Sequence, residues 1–368
     1  MKILIIAPVE TKFKTGLSNA VKTTKDILKE EHDVYLIDTA ENVNTDNIRK
    51  FTIKRLTFFF KIFSHFIIKI RKFDIVYITI SMSLGGFFRD MIFIIFSKIF
   101  SKKIFLHLHG GGYKKNFFLK QNRLIKKIII FTLNKCNKLF ILSENFRDDF
   151  NFIEDRKIKV LENTINVKID KSNRDIDHLK IIYISNFIKS KGYYLLLKTC
   201  KLLAAQKINF KCEMYGKFLN ISDDEKNLGK DQLKNEVKEF IRLNKLENNV
   251  TFSENLDSDK KYEKLRNSNV FVFPSIYPGE GLPLSLIEAL VSKLPIISTN
   301  HAAITDIVKH NYNGFILKTF NELEIVNYLL QFTKNKELFK TMSENSLKIF
   351  DKKFNYIKIK DKTLDEFK

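Results

Sequence analysis

The feature that most constrains this chain is a rhythm of strand-length apolar runs alternating with helical stretches, and the rhythm starts twice. In the first half, apolar runs fall at 2–9 (KILIIAPV), 32–39, 74–81 (DIVYITIS), 103–110 (KIFLHLHG), 138–143 (KLFILS) and 158–165. Helical stretches at about 18–31, 50–72 and 86–101 separate the earlier ones. The second half repeats the pattern with runs at 180–187 (KIIYISNF), 210–216 (FKCEMYG), 249–255, 269–275 (NVFVFPS) and 295–300 (PIISTN), and helices at 191–206 and 283–293. Short apolar runs joined by helices predict parallel strands covered on both faces. The fold class predicted is therefore α/β, with two Rossmann-like domains facing across a cleft. A length of 368 residues suits two domains. The polar stretch around Asp170–His178 is the expected linker, giving an N-terminal domain over 1–170 and a C-terminal one over 171–350. The amphipathic, basic end of the chain predicts a helix over 351–368 that packs back on the N-terminal domain. Ligands of such sheets bind beyond the carboxyl ends of the strands, so the loops that follow strands are where chemistry is expected.

With 44% apolar and 29% charged residues, the composition excludes a disordered, collagen-like or disulfide-scaffold chain. Cys136, Cys200 and Cys212 form no C-x-x-C pair and read as reduced thiols of a cytoplasmic protein. The N-terminal MKILIIAPVETK runs straight into a strand pattern, without a signal-peptide core. Lysines interrupt every apolar segment before it reaches membrane-spanning length, so no transmembrane helix is expected.

Charge is distributed unevenly. Residues 49–140 hold 20 Lys and Arg against two acids, Asp74 and Asp90, a net +18 of the chain's +22. Lysine-rich codon usage can raise Lys everywhere, but it does not strip one segment of Asp and Glu. A positive field facing an anionic partner is the better reading. Within it, Lys50, Lys54, Lys61, His65, Lys69 and Lys72 share an arc of about 100° on one helix, beside Phe59, Phe63, Phe66 and Ile70. A basic stripe next to an aromatic face suits a helix lying on an anionic bilayer. The competing reading is a surface helix with its apolar side on the protein's own sheet. Nucleic acid fits less well, since no helix-turn-helix, zinc-finger or RNA-binding signature occurs.

The strongest local signal is FVFPSIYPGEGLPLSLIEALVSKLPIISTN. Pro278, Gly279, Gly281 and Pro283 build a rigid loop after a strand, with Pro283 placed to open the next helix. That helix would turn its N-terminal amides and positive dipole end toward a ligand. Glu280 lies in the loop. Glu288 is the one charged residue from Leu282 to Ser292, and a carboxylate among apolar neighbours needs hydrogen-bonding partners. Sugar or ribose hydroxyls supply such donors. A solvated Glu280 and a Glu288 bonded to a nearby backbone amide are the plainer alternative.

Three further constellations stand out. SNFIKSKGYY puts Lys191-Gly192 at a helix start just after a strand, where an ammonium can meet a phosphate. ETKFKTGLSNAV carries Gly16 in the first loop but no dinucleotide-binding G-x-G-x-x-G, which disfavours a nicotinamide enzyme. HLHGGGY places His107 and His109 two apart on a strand, pointing to one face, with three glycines that permit close ligand approach. No third metal ligand accompanies the histidines and H-E-x-x-H is absent, so no metal site is expected. No G-x-S-x-G or Ser-His-Asp arrangement appears either.

The spacing Glu280-x7-Glu288 within P-S-x(4)-E-G-x-P-L-S-x(2)-E-A-L closely resembles the retaining glycosyltransferases of family four, which have the GT-B fold. The likeness continues through PIIST and YNGFIL (312–317), strongly in the second half and loosely in the first. The resemblance implies a catalytic set of His109, Lys191 and Glu280. It implies a donor site of Gly16, Asn186, Lys191, Gly216, Gly279, Glu280, Gly281, Leu282, Pro283, Leu284 and Glu288. In such enzymes the first glutamate contacts the donor sugar's hydroxyls and the second the nucleotide's ribose. A histidine at the His109 position touches the sugar, and Ser143-Glu144 falls at a common cleft position. Family members usually carry an arginine five residues before the lysine; here that residue is Asn186, so either Asn186 donates a neutral hydrogen bond or Lys189 or Lys217 substitutes.

The activity implied is retaining, metal-independent transfer from a nucleotide diphosphate-sugar, expected to be a UDP-sugar, with no cofactor. The acceptor expected is a saccharide or polyprenyl diphosphate-linked saccharide in capsule, O-antigen or similar bacterial polysaccharide assembly, at the inner face of the cell membrane. The basic residues Lys50 to Lys72 would face membrane and acceptor. A GT-B-type sugar-nucleotide epimerase and a non-catalytic peripheral membrane binder are the alternatives.

Overall fold

The computed structural model describes residues 1–9, 16–40, 53–167, 178–219, 229–254 and 256–368, without the side chains at 54, 55, 258 and 259. Most of the expected linker and Lys50 lie outside these residues, as does the side chain of Lys54. The chain divides into two compact units. Unit 1 comprises Met1–Asn166, Pro278–Leu284 and Phe354–Lys368, and unit 2 comprises Val167–Tyr277 and Ser285–Lys353.

Unit 1 is built on strands β1 (Lys2–Ala7), β2 (Asp33–Asp38), β3 (Ile75–Thr79), β4 (Lys103–His107), β5 (Lys138–Ile141) and β6 (Ile158–Val160). They form one sheet in the order β2-β1-β3-β4-β5-β6, and every pairing is parallel. Unit 2 holds β7 (Leu179–Ile184), β8 (Phe210–Tyr215), β9 (Val250–Ser253), β10 (Val270–Phe273), β11 (Ile296–Thr299) and β12 (Gly314–Leu317), in the order β12-β11-β10-β7-β8-β9, again all parallel. The α/β class read from the apolar runs is thus observed twice over. β3 and β10 are buried at every position, as strands covered on both faces must be.

These orders locate the ligand sites. In unit 1 the strand order reverses between β1 and β3, and in unit 2 between β7 and β10. Crevices at the carboxyl ends of such strands are the binding positions of open α/β sheets. The segments there in unit 2 are the residues after β7, with Asn186 and Lys191, and those after β10, beginning at Pro274.

Two helical expectations need correction. The helix Ile53–Ile70 does not present Phe59, Phe63, Phe66 and Ile70 outward. Phe66 and Ile70 are fully buried. Phe59, Phe63 and Phe66 pack on Phe93 and Phe96 of the helix Leu84–Ile99, with ring centroids 5.0 Å apart for Phe63–Phe96 and Phe66–Phe93. Aromatic burial of this kind outweighs exposure to water. The C-terminal helix expected over 351–368 starts later, at Tyr356. A π-helical turn at Phe350–Phe354 separates Lys336–Ile349 from Tyr356–Glu366. The last helix lies in unit 1, where Phe367 is fully buried among Tyr77, Phe105 and Phe140, and Lys138 meets Glu366 at 2.8 Å.

Candidate active site

In unit 1 a pocket of about 160 Å³ is lined by Gly16, Leu17 and Ala20 of the helix Gly16–Leu28, by His109 and Asn163, and by the run Gly279–Leu284. This brings together eight of the residues named from sequence: Gly16, His109, Gly279, Glu280, Gly281, Leu282, Pro283 and Leu284. Glu280 is buried.

The loop 278–284 is held by residues that its own sequence does not announce. Asn163 Nδ2 donates to the Leu282 carbonyl at 2.8 Å, and Asn116 Nδ2 donates to the Pro278 carbonyl at 2.5 Å. The glycines of HLHGGGY pack against this loop. A Cβ on Gly111 would run into the Glu280 carbonyl and the Phe146 ring, and one on Gly281 would meet the His109 carbonyl at 2.5 Å. Asp149 completes the turn, accepting from the amides of Tyr113 at 2.9 Å and Lys114 at 3.3 Å. Burial raises the Asp149 pKa, opposed by those amides.

His107 and His109 stack with ring centroids 3.9 Å apart. Tyr77 Oη lies 2.6 Å from His107 Nδ1 and 3.5 Å from His109 Nε2. Burial keeps both rings neutral, pushing His109 down to about 4 and His107 well below its usual value. Ser143 caps the turn after β5, and Glu144 is an exposed partner of Arg147 at 2.6 Å. Neither Ser143 nor Glu144 lines the pocket.

In unit 2, Lys191 ends a short 3-10 turn after β7. Its Nζ lies 4.6 Å from the centre of the Tyr277 ring and 5.7 Å from that of Phe273. Gly192 follows at φ +83°, where any Cβ would strike the Pro274 carbonyl, so this close approach to the β10 loop needs glycine. His301 Nε2 reaches the Tyr277 carbonyl at 2.6 Å, fixing the segment under Lys191. Asn186 is an acceptor here: its Oδ1 takes the Lys217 amide at 3.5 Å. Lys217 has its pKa lowered, first by burial and then by Lys230. Gly216, just past β8, packs on the Ser185 carbonyl.

Glu288 sits on the helix Leu284–Val291 and is buried. Its partner is a side chain, not a backbone amide: Lys261 Nζ lies 2.5 Å from Oε1, and the Tyr262 side chain bonds it too. Desolvation raises the carboxyl's pKa, and Lys261 opposes the rise. Sequence reading missed Asn116, Asn163, Lys261 and Tyr262, whose partners are 26 to 162 residues away. Among the described residues no group of three or more His, Cys, Asp or Glu side chains is placed to hold a metal ion.

Comparison with known proteins agrees with this fold. A solved structure of Anabaena Alr3699/HepE in complex with UDP is similar with a TM-score of 0.74 at 16% identity, covering 100% of this chain and 99% of that one. The twin parallel sheets are those of the GT-B class. Residues 165–349, about half of the chain, match the family model described as glycosyl transferases group 1, and the chain belongs to that family. Two curated relatives from Staphylococcus aureus are a poly(ribitol-phosphate) alpha-N-acetylglucosaminyltransferase, 25% identical over 70% of this chain and 47% of the relative, and the capsular polysaccharide biosynthesis glycosyltransferase CapM, 26% identical over 62% and 55%. The match thus spans about half the length of each.

Proposed function

We propose that this chain is a retaining glycosyltransferase of polysaccharide assembly that uses a nucleotide diphosphate-sugar, a UDP-sugar in the first instance. The observation that carries the reading is the unit 1 pocket, where buried Glu280 and the His109 ring line one space with the start of the helix Gly16–Leu28. A carboxylate and a neutral imidazole accept and donate hydrogen bonds at fixed positions, which suits sugar hydroxyls. The names of the two curated relatives and the UDP complex of the structural neighbour support the donor and the polymer.

The family roles put the donor's sugar on Glu280 and His109, its ribose on Glu288 and its diphosphate on Lys191. The bond between the anomeric carbon and the phosphate oxygen breaks, and the acceptor hydroxyl bonds that carbon from the same face. Its proton passes to the departing phosphate oxygen. The Lys191 ammonium stabilises the negative charge as it develops. In this reading no cofactor and no metal take part.

A polyprenyl diphosphate-linked or otherwise anionic acceptor at the cytoplasmic leaflet fits the +18 segment. The outer side of the helix Ile53–Ile70 exposes Leu56, Phe60 (58%) and Ile68 (70%) together with Lys61 and His65, and Lys72 is exposed just past its end, the apolar-plus-basic mixture that an anionic bilayer surface receives. No described helix is long and apolar enough to cross a membrane.

The test is thermal stability against UDP, GDP, ADP, CMP and their sugar conjugates, followed by transfer assays with the stabilising donor. Binding to the native state raises the midpoint by mass action. One nucleotide series should stabilise the protein, and Glu280→Gln should cut turnover at least tenfold. Product formed without acceptor would point to an epimerase. Binding without transfer to any saccharide acceptor would point to a non-catalytic binder.

A further inference from the structure

The loop that carries Glu280 into the pocket has a proline at 278 and another at 283, and no strand or helix between them. Its carbonyls have no ladder to join, so their hydrogen bonds must come from donors elsewhere in the chain. Two of these donors are asparagine side chains of unit 1. Asn116 Nδ2 reaches the Pro278 carbonyl at 2.5 Å, and Asn163 Nδ2 reaches the Leu282 carbonyl at 2.8 Å. The two bonds fall two residues before and two residues after Glu280.

We propose that Asn116 and Asn163 are positioning residues, a two-point clamp on the 278–284 loop that sets where the Glu280 carboxylate stands in the pocket. This rests on the function proposed above and names residues through which that site acts. The clamp draws on two separate elements. Asn116 ends the short helix Tyr113–Asn116, and Asn163 lies just past β6.

Asn163 is 9% exposed and lines the pocket itself. Its side chain also bonds the His109 ring, so one carboxamide joins two walls of the pocket. A buried carboxamide keeps the orientation that satisfies its partners, and the Leu282 carbonyl is fixed with it. The other point of the clamp depends on Gly112. This residue has φ +71°, and a Cβ there would run into the Asn116 carboxamide and lie 3.1 Å from the Pro278 carbonyl oxygen. Any side chain at 112 would push the donor away from the loop.

Hydrogen exchange of the full chain, read by mass spectrometry, tests the clamp without a substrate. Asn163→Ala and Asn116→Ala should each speed exchange of the amides at 279–282 by between about twofold and tenfold, the net worth of one hydrogen bond. The β3 amides should exchange as in the wild type. Unchanged exchange at 279–282 overturns the proposal, as does a wild-type loop that is already unprotected. An equal acceleration in β3 overturns it too, because the asparagines would then support unit 1 as a whole. If Asn163→Ala fails to fold, Asn116→Ala, at a half-buried site, carries the test.

With an active donor in hand, a double-mutant cycle separates positioning from folding. Asn163→Ala should lower kcat/KM about tenfold in the wild type but less than twofold in the Glu280→Gln background, where the carboxylate it places is gone. Equal losses in both backgrounds would mean that Asn163 does not act through Glu280. The exchange arm needs no activity, so the clamp stands or falls separately from the glycosyltransferase reading, which the transfer assay decides.

Discussion

Lys261 and Glu288 form a buried ion pair, Nζ to Oε1 at 2.5 Å, with side chains only 17% and 9% exposed. The carboxylate that the sequence motif marks for a ribose therefore has a resident cation, and Tyr262 bonds the same group.

Removing the cation should cost more than the pair is worth. In Lys261→Ala the buried carboxylate loses its charge partner, and breaking such a pair typically costs 3–5 kcal/mol. The loss should depend on pH. Burial already raises the Glu288 pKa, and without Lys261 it rises further, so the folded state binds a proton that the unfolded chain releases. Stability then falls as pH climbs above the carboxyl's ordinary range. Urea unfolding at pH 5 and pH 8 should show the larger deficit at pH 8, and Lys261→Ala/Glu288→Gln should remove that difference. An equal deficit at both pH values would mean that Glu288 is not the group responsible.

The Gly111 contact yields a second expectation. A methyl group there would meet the Glu280 carbonyl and the Phe146 ring, and overpacking of this kind costs about 1–3 kcal/mol. Gly111→Ala should lower the thermal midpoint and weaken donor binding together, because the carbonyl that must move belongs to the pocket loop. Gly85→Ala, where nothing lies within 4 Å, is the control and should keep donor binding. If Gly111→Ala leaves donor affinity unchanged, the 278–284 loop is not the sugar's seat.

How far the sequence carried these conclusions depends on the range of each interaction. The strands were legible because burial on both faces writes a continuous apolar run, as in VFVF of β10. The helix Lys230–Leu243 was not, since only Leu233, Val237 and Ile241 face inward in an otherwise polar stretch. The side of the aromatic helix that meets water was misread for a related reason: periodicity shows that a helix has faces, and only the presence of Phe93 and Phe96 shows which one is covered. At the site, local motifs marked Glu280, Glu288, Lys191 and His109. Their partners Asn163, Lys261 and Tyr77 carry no local pattern, because topology alone brings them near.

Acid should destabilise the protein through the histidine pair. Burial pushes His109 down to about 4 and His107 well below its usual value, whereas the unfolded rings titrate near the ordinary 6.5. Between pH 6.5 and pH 4 the unfolded state binds more protons, so stability falls as pH falls through that window. Each histidine contributes a slope of up to about 1.4 kcal/mol per pH unit. Denaturant titrations from pH 7.5 to pH 4.5 should show a shallower slope in His109→Asn than in the wild type. Parallel curves would mean that His109 is charged in the folded protein.

The basic segment makes the last expectation quantitative. The outer side of the helix Ile53–Ile70 carries exposed Phe60 and Ile68 beside Lys61, with Lys72 exposed just past its end, so two different forces would hold the segment on a bilayer. Each lysine near an anionic surface is worth about 1 kcal/mol, and that term weakens as salt shortens the screening length. The apolar side chains act through burial, which salt does not screen. Sedimentation with vesicles containing anionic lipid should therefore fall roughly tenfold or more in Lys61→Gln/Lys72→Gln, since 1.4 kcal/mol is a factor of ten. Raising salt from 0.1 M to 0.5 M should weaken the wild type far more than that variant. Phe60→Ser/Ile68→Ser should lower binding at every salt concentration without changing the salt slope. Binding to neutral vesicles equal to that on anionic ones would remove the electrostatic half of the argument. A Phe60→Ser/Ile68→Ser variant that binds like the wild type would remove the apolar half and leave the lysines as ordinary solvated surface.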